Sequence, residues 1–393
     1  MSNRSDPAGE LAGTADPASA GRALVSRTVS SFSGPRRWRL TVLVLAVIAL
    51  ALVVFPLTSN QYYMHVVDAA LVASIIAIPT NLLTGRAGLF SIGNAAFMAI
   101  GAWIVVVLAN SVGFVASVLL AATVCGAVGV IIGIPSLRLR NFYMVLTTLA
   151  LQFIVATAFL QYEIETKNPG GFYLPVASIG PVQLADVNAW YVALAVVLVA
   201  VYAVTWALFS SRVGRAWLAI REHDVAAAAI GVNITYYKLL AFGVSSFMIG
   251  LGGALDAYFV RFVSADTYTL DLAIGYVAMI IIGGLGSLPG SVIGAFVYTL
   301  LPVIVENIGG SLPQTGGAGS FIVQNEFYIE SAIYGALVLV FLYKQPRGIA
   351  GLAKQLTVRR LVGRRAGMLS FDVSALAAKE PAPAKPETGG ATR

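Results

Sequence analysis

The chain has 393 residues, 58% of them hydrophobic and only 11% charged, against roughly 25% charged residues in soluble globular domains. Several apolar stretches approach the roughly 20 residues that cross about 30 Å of hydrocarbon, and they run continuously rather than alternating, which excludes a soluble domain and a membrane β-barrel alike. The net charge of +7 sits at the ends and in the breaks between apolar runs, a placement that argues against nucleic acid as a partner.

In chain order, residues 1–35 are rich in Ser, Ala, Gly and Pro without periodicity and read as a disordered tail. Membrane spans are expected near 40–58, 66–83, 91–110, 115–134, 142–160, 189–209, 239–260, 273–287, 291–308 and 329–343. The first follows Arg36, Arg37 and Arg39; its apolar core exceeds the 7–15 residues of a signal-peptide h-region, so an uncleaved anchor is expected. The single Cys125 lies inside an apolar run, excludes an intrachain disulfide and reads as a buried small hydrophobe. The eighth span is short and glycine-interrupted, the pattern of a broken or re-entrant segment. Residues 351–393 are expected to form a tail, first basic and then disordered, which leaves 36–350 as one transmembrane domain.

Positive charge orients the bundle. With ten spans and both termini cytoplasmic, only Lys167 and Arg261 of the 25 Lys and Arg fall outside, leaving 23 of 25 inside. The opposite orientation would translocate nearly all of them. Two loops, 161–188 and 309–328, then face outward as solvated connections or docking surfaces.

One polar stretch interrupts the apolar pattern, within 210–238, and it is patterned as two short helices. Asp224 is expected to cap the run Val225–Ile230, whose alanines have the highest helix propensity. Gly231 stands where a left-handed C-terminal cap is wanted, and Asn233 or Thr235 restarts a helix into the next span. A lipid-surface helix would carry large apolar residues on one face. Four consecutive alanines instead fit close approach by a partner's groove, with Arg221, Glu222 and Asp224 as polar anchors.

Glycines cluster twice, at 85, 88, 93 and 101 and again at 283, 284, 286, 290 and 294. Beside Ser91 and Asn94, or around Pro289, they mark discontinuous elements near a pathway. Thr148 and Gln152, two of the few polar residues inside spans, complete the set of pathway candidates. No G-x-x-x-x-G-K-[ST] occurs, so the chain has no P-loop for ATP, and no nucleophile–base pattern points to catalysis. His65 and His223 are too far apart in this topology to share a metal, and no metal or cofactor is expected.

The core Ala226-Ala227-x-x-x-Gly231 resembles the loop by which ABC importer permeases engage their ATPase subunits, with Val225 where the motif's leading Glu usually stands. The wider string GRAWLAIREHDVAAAAIGVNITYYKLLAF, with LLTGRAGLFSIGNAAFMAIGAW at 82–103, LRLRNFYMVLTTLA at 137–150 and GGLGSLPGSVIGA at 283–295, is similar to the branched-chain amino-acid permease family, over roughly residues 62–350. The chain departs from the family pattern at Leu89, Asn94 and Asn141, where Gln, His and Gly are common. The resemblance implies an all-α polytopic fold of about ten helices with a cytoplasmic coupling loop, in the bacterial inner membrane. It also implies the larger of two permease subunits, two ATPase subunits inside and an extracytoplasmic amino-acid-binding protein outside. Arg221, Glu222, Asp224, Ala226, Ala227 and Gly231 would form the coupling site. The alternative is an ion-coupled secondary transporter of a small neutral solute, which would require ionisable groups inside the spans.

Overall fold

The computed structural model describes residues 60–349, apart from 110, 138–140, 169, 181, 312–323 and 345–347. The two expected tails and the expected span at 40–58 lie outside the described residues. The chain divides into two units, Met1–Asn60 and Gln61–Arg393, and every described helix and strand belongs to the second.

Among the described residues of that unit there are eleven helices: α1 Gln61–Asn81, α2 Asn94–Leu108, α3 Phe114–Leu137, α4 Asn141–Glu165, α5 Val187–Ser210, α6 Arg212–Glu222, α7 Asp224–Ala229, α8 Ile234–Val260, α9 Leu270–Gly283, α10 Leu288–Ser311 and α11 Glu326–Lys344. Four two-residue strands form two small antiparallel pairs. β1 (Phe172–Tyr173) pairs with β4 (Phe262–Val263), and β2 (Ser178–Ile179) with β3 (Val182–Gln183). Among the described residues seven helical stretches are long and apolar enough to cross a membrane, and two shorter apolar helices accompany them at Asn94–Leu108 and Ser331–Phe341. Two expected spans change. That at 91–110 shortens to the 15-residue α2, and that at 273–287 becomes α9, which stops at Gly283.

Helix α1 is the interior. Residues 70–85 are buried without exception, which is why the segment is apolar on all sides rather than on one stripe. Helix α5 is its opposite, with Val192, Val196, Val199, Val204 and Trp206 exposed along its length as befits a lipid-facing helix. Helix α8 packs against α3, α2 and α1, and α10 and α9 close the far side of α1. In hydrocarbon, helices gain little from burying apolar surface against each other, so close backbone approach through small residues dominates. A Cβ at Gly101 would strike the Gly250 carbonyl, and one at Gly253 would strike the Met98 backbone, so α2 and α8 cross in contact. The α9–α10 pair crosses the same way, Gly283 against Gly290 and Gly294 against Met279.

The interior helix does not run straight through. Pro79 lacks an amide hydrogen and leaves the ladder weakened, and one turn later the chain widens into a π-turn, Leu82–Arg86, closed by Ala87 N–H donating to the Leu82 carbonyl at 3.0 Å. Such widened turns expose backbone polar groups and are frequent at functional sites.

What holds this break is the Asn81 side chain, 1% exposed. Its Nδ2 donates to the Gly284 carbonyl (3.3 Å), the Ser287 carbonyl (3.1 Å) and Ser291 Oγ (2.7 Å), and its Oδ1 accepts from Gly286 N–H (2.7 Å). One amide thus ties the end of α1 to the turn between α9 and α10. Removing it leaves Gly286 N–H without its acceptor, at about 1–3 kcal/mol, and takes a donor away from the Gly284 and Ser287 carbonyls and Ser291 Oγ. Asn81→Leu is therefore expected to lower the melting temperature of the detergent-purified protein markedly. Thr84→Val, which deletes a buried hydroxyl with no hydrogen-bond partner among the described residues, should leave it nearly unchanged. Equal melting temperatures for the two variants would remove Asn81 from this role.

Candidate functional site

The polar segment folds as two short helices. Ser211 caps α6, its side chain accepting from Val213 N–H at 3.1 Å. Trp217, 1% exposed, anchors α6 by donating from Nε1 to the Tyr237 carbonyl at 2.8 Å and by packing in one cluster with Leu82, Leu83, Ala87 and Leu89. The segment is thereby seated directly on the π-turn. Helix α7 ends in the expected left-handed cap: Gly231 has φ +86°, its N–H donates to the Ala228 carbonyl (2.9 Å), and Val232 N–H reaches the Ala227 carbonyl (3.0 Å). Of the two residues expected to restart the helix, Asn233 does so, its Oδ1 accepting from Tyr236 N–H at 3.1 Å.

Two expectations change here. Asp224 is the first helical residue rather than the cap, and the extended His223 occupies the cap position without a side-chain bond. The carboxylate is drawn instead to Lys238, 2.8 Å away on α8. Ala227 points inward at 2% exposure, whereas Ala226 is exposed. The outward apolar face of α7 is built by Val225 and Ile230, 84% and 76% exposed, two residues that the alanine pattern concealed. Arg221 and Glu222 line a polar cleft of about 270 Å³ together with Gly88, Leu89, His223 and Lys238.

Two of the four pathway candidates, Thr148 and Gln152, lie on α4, and Thr148 reaches the connection that carries Ser91 and leads to Asn94. After the π-turn residues 87–93 form a non-helical connection, with Gly88 at φ +73°, before α2 begins at Asn94. This strap is held by Thr148, whose Oγ1 accepts from Ile92 N–H at 3.2 Å, while Ser91 Oγ accepts from Gly93 N–H at 3.3 Å. One turn further along α4, Gln152 Nε2 donates to the Tyr268 carbonyl at 2.7 Å. Tyr268 belongs to the second interrupted connection, 261–269, which turns back from the end of α8 to start α9 and is pinned again where Glu163 Oε1 accepts from Ala265 N–H at 2.7 Å. Helix α4 thus grips two straps that enter the bundle from different helices. Asn94 Nδ2 and Gln152 Oε1 are buried and have no hydrogen-bond partner among the described residues.

The sequence reading passed over Asp256, a carboxylate within the apolar stretch 251–260. An ionisable residue inside such a run is itself a signal of function. Asp68 is fully buried, and among the described residues neither its carboxylate oxygens nor the Tyr191 hydroxyl has a hydrogen-bond partner. Among the described residues no group of three or more His, Cys, Asp and Glu is placed to hold a metal ion.

Comparison with known proteins places this architecture. Residues 63–342 match the model of the family described as branched-chain amino acid transport system, permease component. The high-affinity branched-chain amino acid transport system permease proteins LivM of Salmonella typhimurium and Escherichia coli K12 are each 26% identical over 304 residues, covering 68% of this chain and 71% of theirs. A probable branched-chain amino acid transport permease protein LivM of Methanocaldococcus jannaschii is 24% identical over 237 residues, 59% of this chain and 67% of its own. No solved structure matches the chain. The family match spans both interrupted connections, the gripping helix and the polar segment, and the chain belongs to the permease-component family of branched-chain amino acid transport systems.

Proposed function

We propose that this permease is the larger membrane subunit of an ATP-driven importer for branched-chain or related amino acids. It would work with a second permease, with ATPase subunits on the cytoplasmic face and with a soluble binding protein on the opposite face. The observation that carries the proposal is the α6–α7 segment. It presents Val225 and Ile230 to solvent on a helix fixed from behind by the Asp224–Lys238 pair, the Gly231 cap and the Trp217 anchor. A partner that buries those two side chains would hold the segment and move it as one body. Transport follows when the partner's two states favour two arrangements of the permease by different amounts.

The pathway in this reading runs beside α4, between the two straps. Asn94 Nδ2 and Gln152 Oε1 supply a free donor and a free acceptor there, suited to brief contacts with a zwitterion and too few for tight retention. High affinity would then reside in the external binding protein. Asp68 and Asp256 favour a second reading, coupling to an ion gradient, because each places a carboxylate inside a span.

Two results test the proposal. Orientation is set by the positive charge near α6, α7 and the π-turn. Single cysteines at Thr166 and Ala226 should label from opposite faces of intact membranes, Thr166 from outside, with Cys125 silent because it is buried. Labelling of both from one face would overturn the topology.

The docking surface is tested by co-purification of the ATPase on the tagged permease. Full burial of a Val or Ile side chain is worth about 1.5–3 kcal/mol, roughly tenfold or more in occupancy for each. Val225→Asp with Ile230→Asp should therefore strip the ATPase while insertion stays normal. Ala227→Trp should instead lower the yield of folded permease, because bulk there meets the protein's own interior at a cost of about 1–3 kcal/mol. Full ATPase retention by the double variant would dismiss the α7 face as the docking surface.

A further inference from the structure

Arg221 stands at the C-terminal turn of α6, immediately before the docking helix, yet its side chain reaches back into the permease. Its Nη1 donates to the Gly85 carbonyl in the π-turn. Its stem lies over Gly88, where a Cβ would come within 2.8 Å of the arginine Cγ and 3.1 Å of its Cβ. On the other side, a Cβ at Gly286 would lie 3.4 Å from the same Nη1 and 3.0 Å from the Gly85 carbonyl oxygen. One side chain therefore bridges three backbone segments: the π-turn that interrupts α1, the start of the strap that leads to α2, and the turn between α9 and α10. The first and third are the pair that Asn81 ties together from the buried side.

The bare backbone at these three positions is what lets a guanidinium in. Gly88 has φ +73° and Gly286 φ +77°, so a β-carbon would be strained at either even without the arginine. A widened turn leaves carbonyls pointing outward, and a cation is the natural partner for such an end. Arg86, the nearest other guanidinium, is directed elsewhere: it reaches the Phe209 carbonyl at 3.5 Å and stacks over the Phe209 ring at 5.0 Å.

We infer that Arg221 is a positioning residue for transport, the strut by which displacement of the α6–α7 segment is carried into the junction of the π-turn with the α9–α10 turn. An arginine there need not touch the ATPase. It makes the junction follow the segment, and through the strap 87–93 it links the segment to the Thr148 grip on α4. The inference rests on the importer reading, and it separates two properties that a simple docking residue would lose together, ATPase binding and transport.

The experiment uses the full complex of both permeases, ATPase and binding protein, purified and reconstituted into liposomes, with the variants Arg221→Ala, Arg221→Lys, Gly88→Ala and the combination of Gly88→Ala with Arg221→Ala. Arg221 is largely exposed, so its replacement should leave folding intact, as a monodisperse elution profile would show. For Arg221→Ala the expected result is full ATPase retention, ATP hydrolysis no longer stimulated by loaded binding protein, and uptake lowered roughly tenfold or more, the scale of one lost charge-assisted hydrogen bond. Arg221→Lys, which keeps the stem and one donor, should restore part of the uptake. Gly88→Ala should also lower uptake, through backbone strain at φ +73° together with its clash with the arginine stem, and combining it with Arg221→Ala separates the two: the stem's share is the part of the loss that Gly88→Ala no longer adds once Arg221 is gone. Loss of the ATPase from Arg221→Ala would make Arg221 a docking anchor and overturn the inference, as would unchanged stimulated hydrolysis and uptake. If the unsubstituted complex neither holds the ATPase nor transports, the importer reading itself has failed.

Discussion

A buried primary amide engaged through both its nitrogen and its oxygen is the constraint around which this protein is arranged. Asn81 makes three donor contacts and one acceptor contact with residues some two hundred positions away in sequence. In a low-dielectric interior such a set is worth forming only if it is complete, because each buried partner left open is costly. Completeness fixes the geometry. The α9–α10 turn must present two carbonyls, a hydroxyl and an N–H to one point, and α1 must end where that point lies. Gly85 and Gly286 can touch because Asn81 has already brought their backbones together. The π-turn, the strap to α2 and the seat of Arg221 all follow from that contact.

The same economy governs the rest of the bundle. Ser245 Oγ donates to the Pro79 carbonyl at 2.8 Å, tying the centre of α8 to the last turn of α1. Ser117 and Tyr258 share a hydroxyl contact at 2.9 Å at the far end of the α3–α8 pair. Cys125 packs where Gly250 leaves room for it. Irregular backbone is admitted inside such a bundle only where protein covers it, and α4 holds part of each strap, at Ile92 in the first and at Ala265 and Tyr268 in the second. Thr148 and Gln152, one turn apart, each hold a different strap. A shift of α4 would therefore be felt at both interruptions at once, which gives the helix a natural place in a two-state cycle.

Much of this was legible in the sequence because it is local. The cap at Gly231 and the restart at Asn233 follow from backbone rules spanning a few residues, and both glycine clusters fall where backbones touch. What remained hidden depends on distant partners. Asp224 has the composition of a cap, but a lysine fourteen residues later competes for its carboxylate and wins. The alanine run shows a small-residue helix without showing its rotation, so Ala227 turns inward while Val225 and Ile230 form the outer face. Asn81 looks like a polar residue closing an apolar run, and nothing nearby in the chain announces its partners near 284–291. The short α2 differs from the expected span at 91–110 because residues 91–93 stay in the non-helical connection, where Thr148 Oγ1 takes the Ile92 N–H, a contact that hydropathy cannot register.

The permease reading joins these parts: a segment that a partner can grip, a junction that the segment touches, and two straps held by one helix beside a lightly polar route. Family membership supports the reading across most of the chain. The decisive measurement is leucine uptake into liposomes containing this permease, its partner permease and the ATPase, with binding protein outside and ATP within. The account predicts accumulation that requires ATP hydrolysis and is competed by isoleucine and valine far better than by glutamate or lysine. Leucine uptake by this chain alone, driven by a proton or sodium gradient without any ATPase, would contradict it.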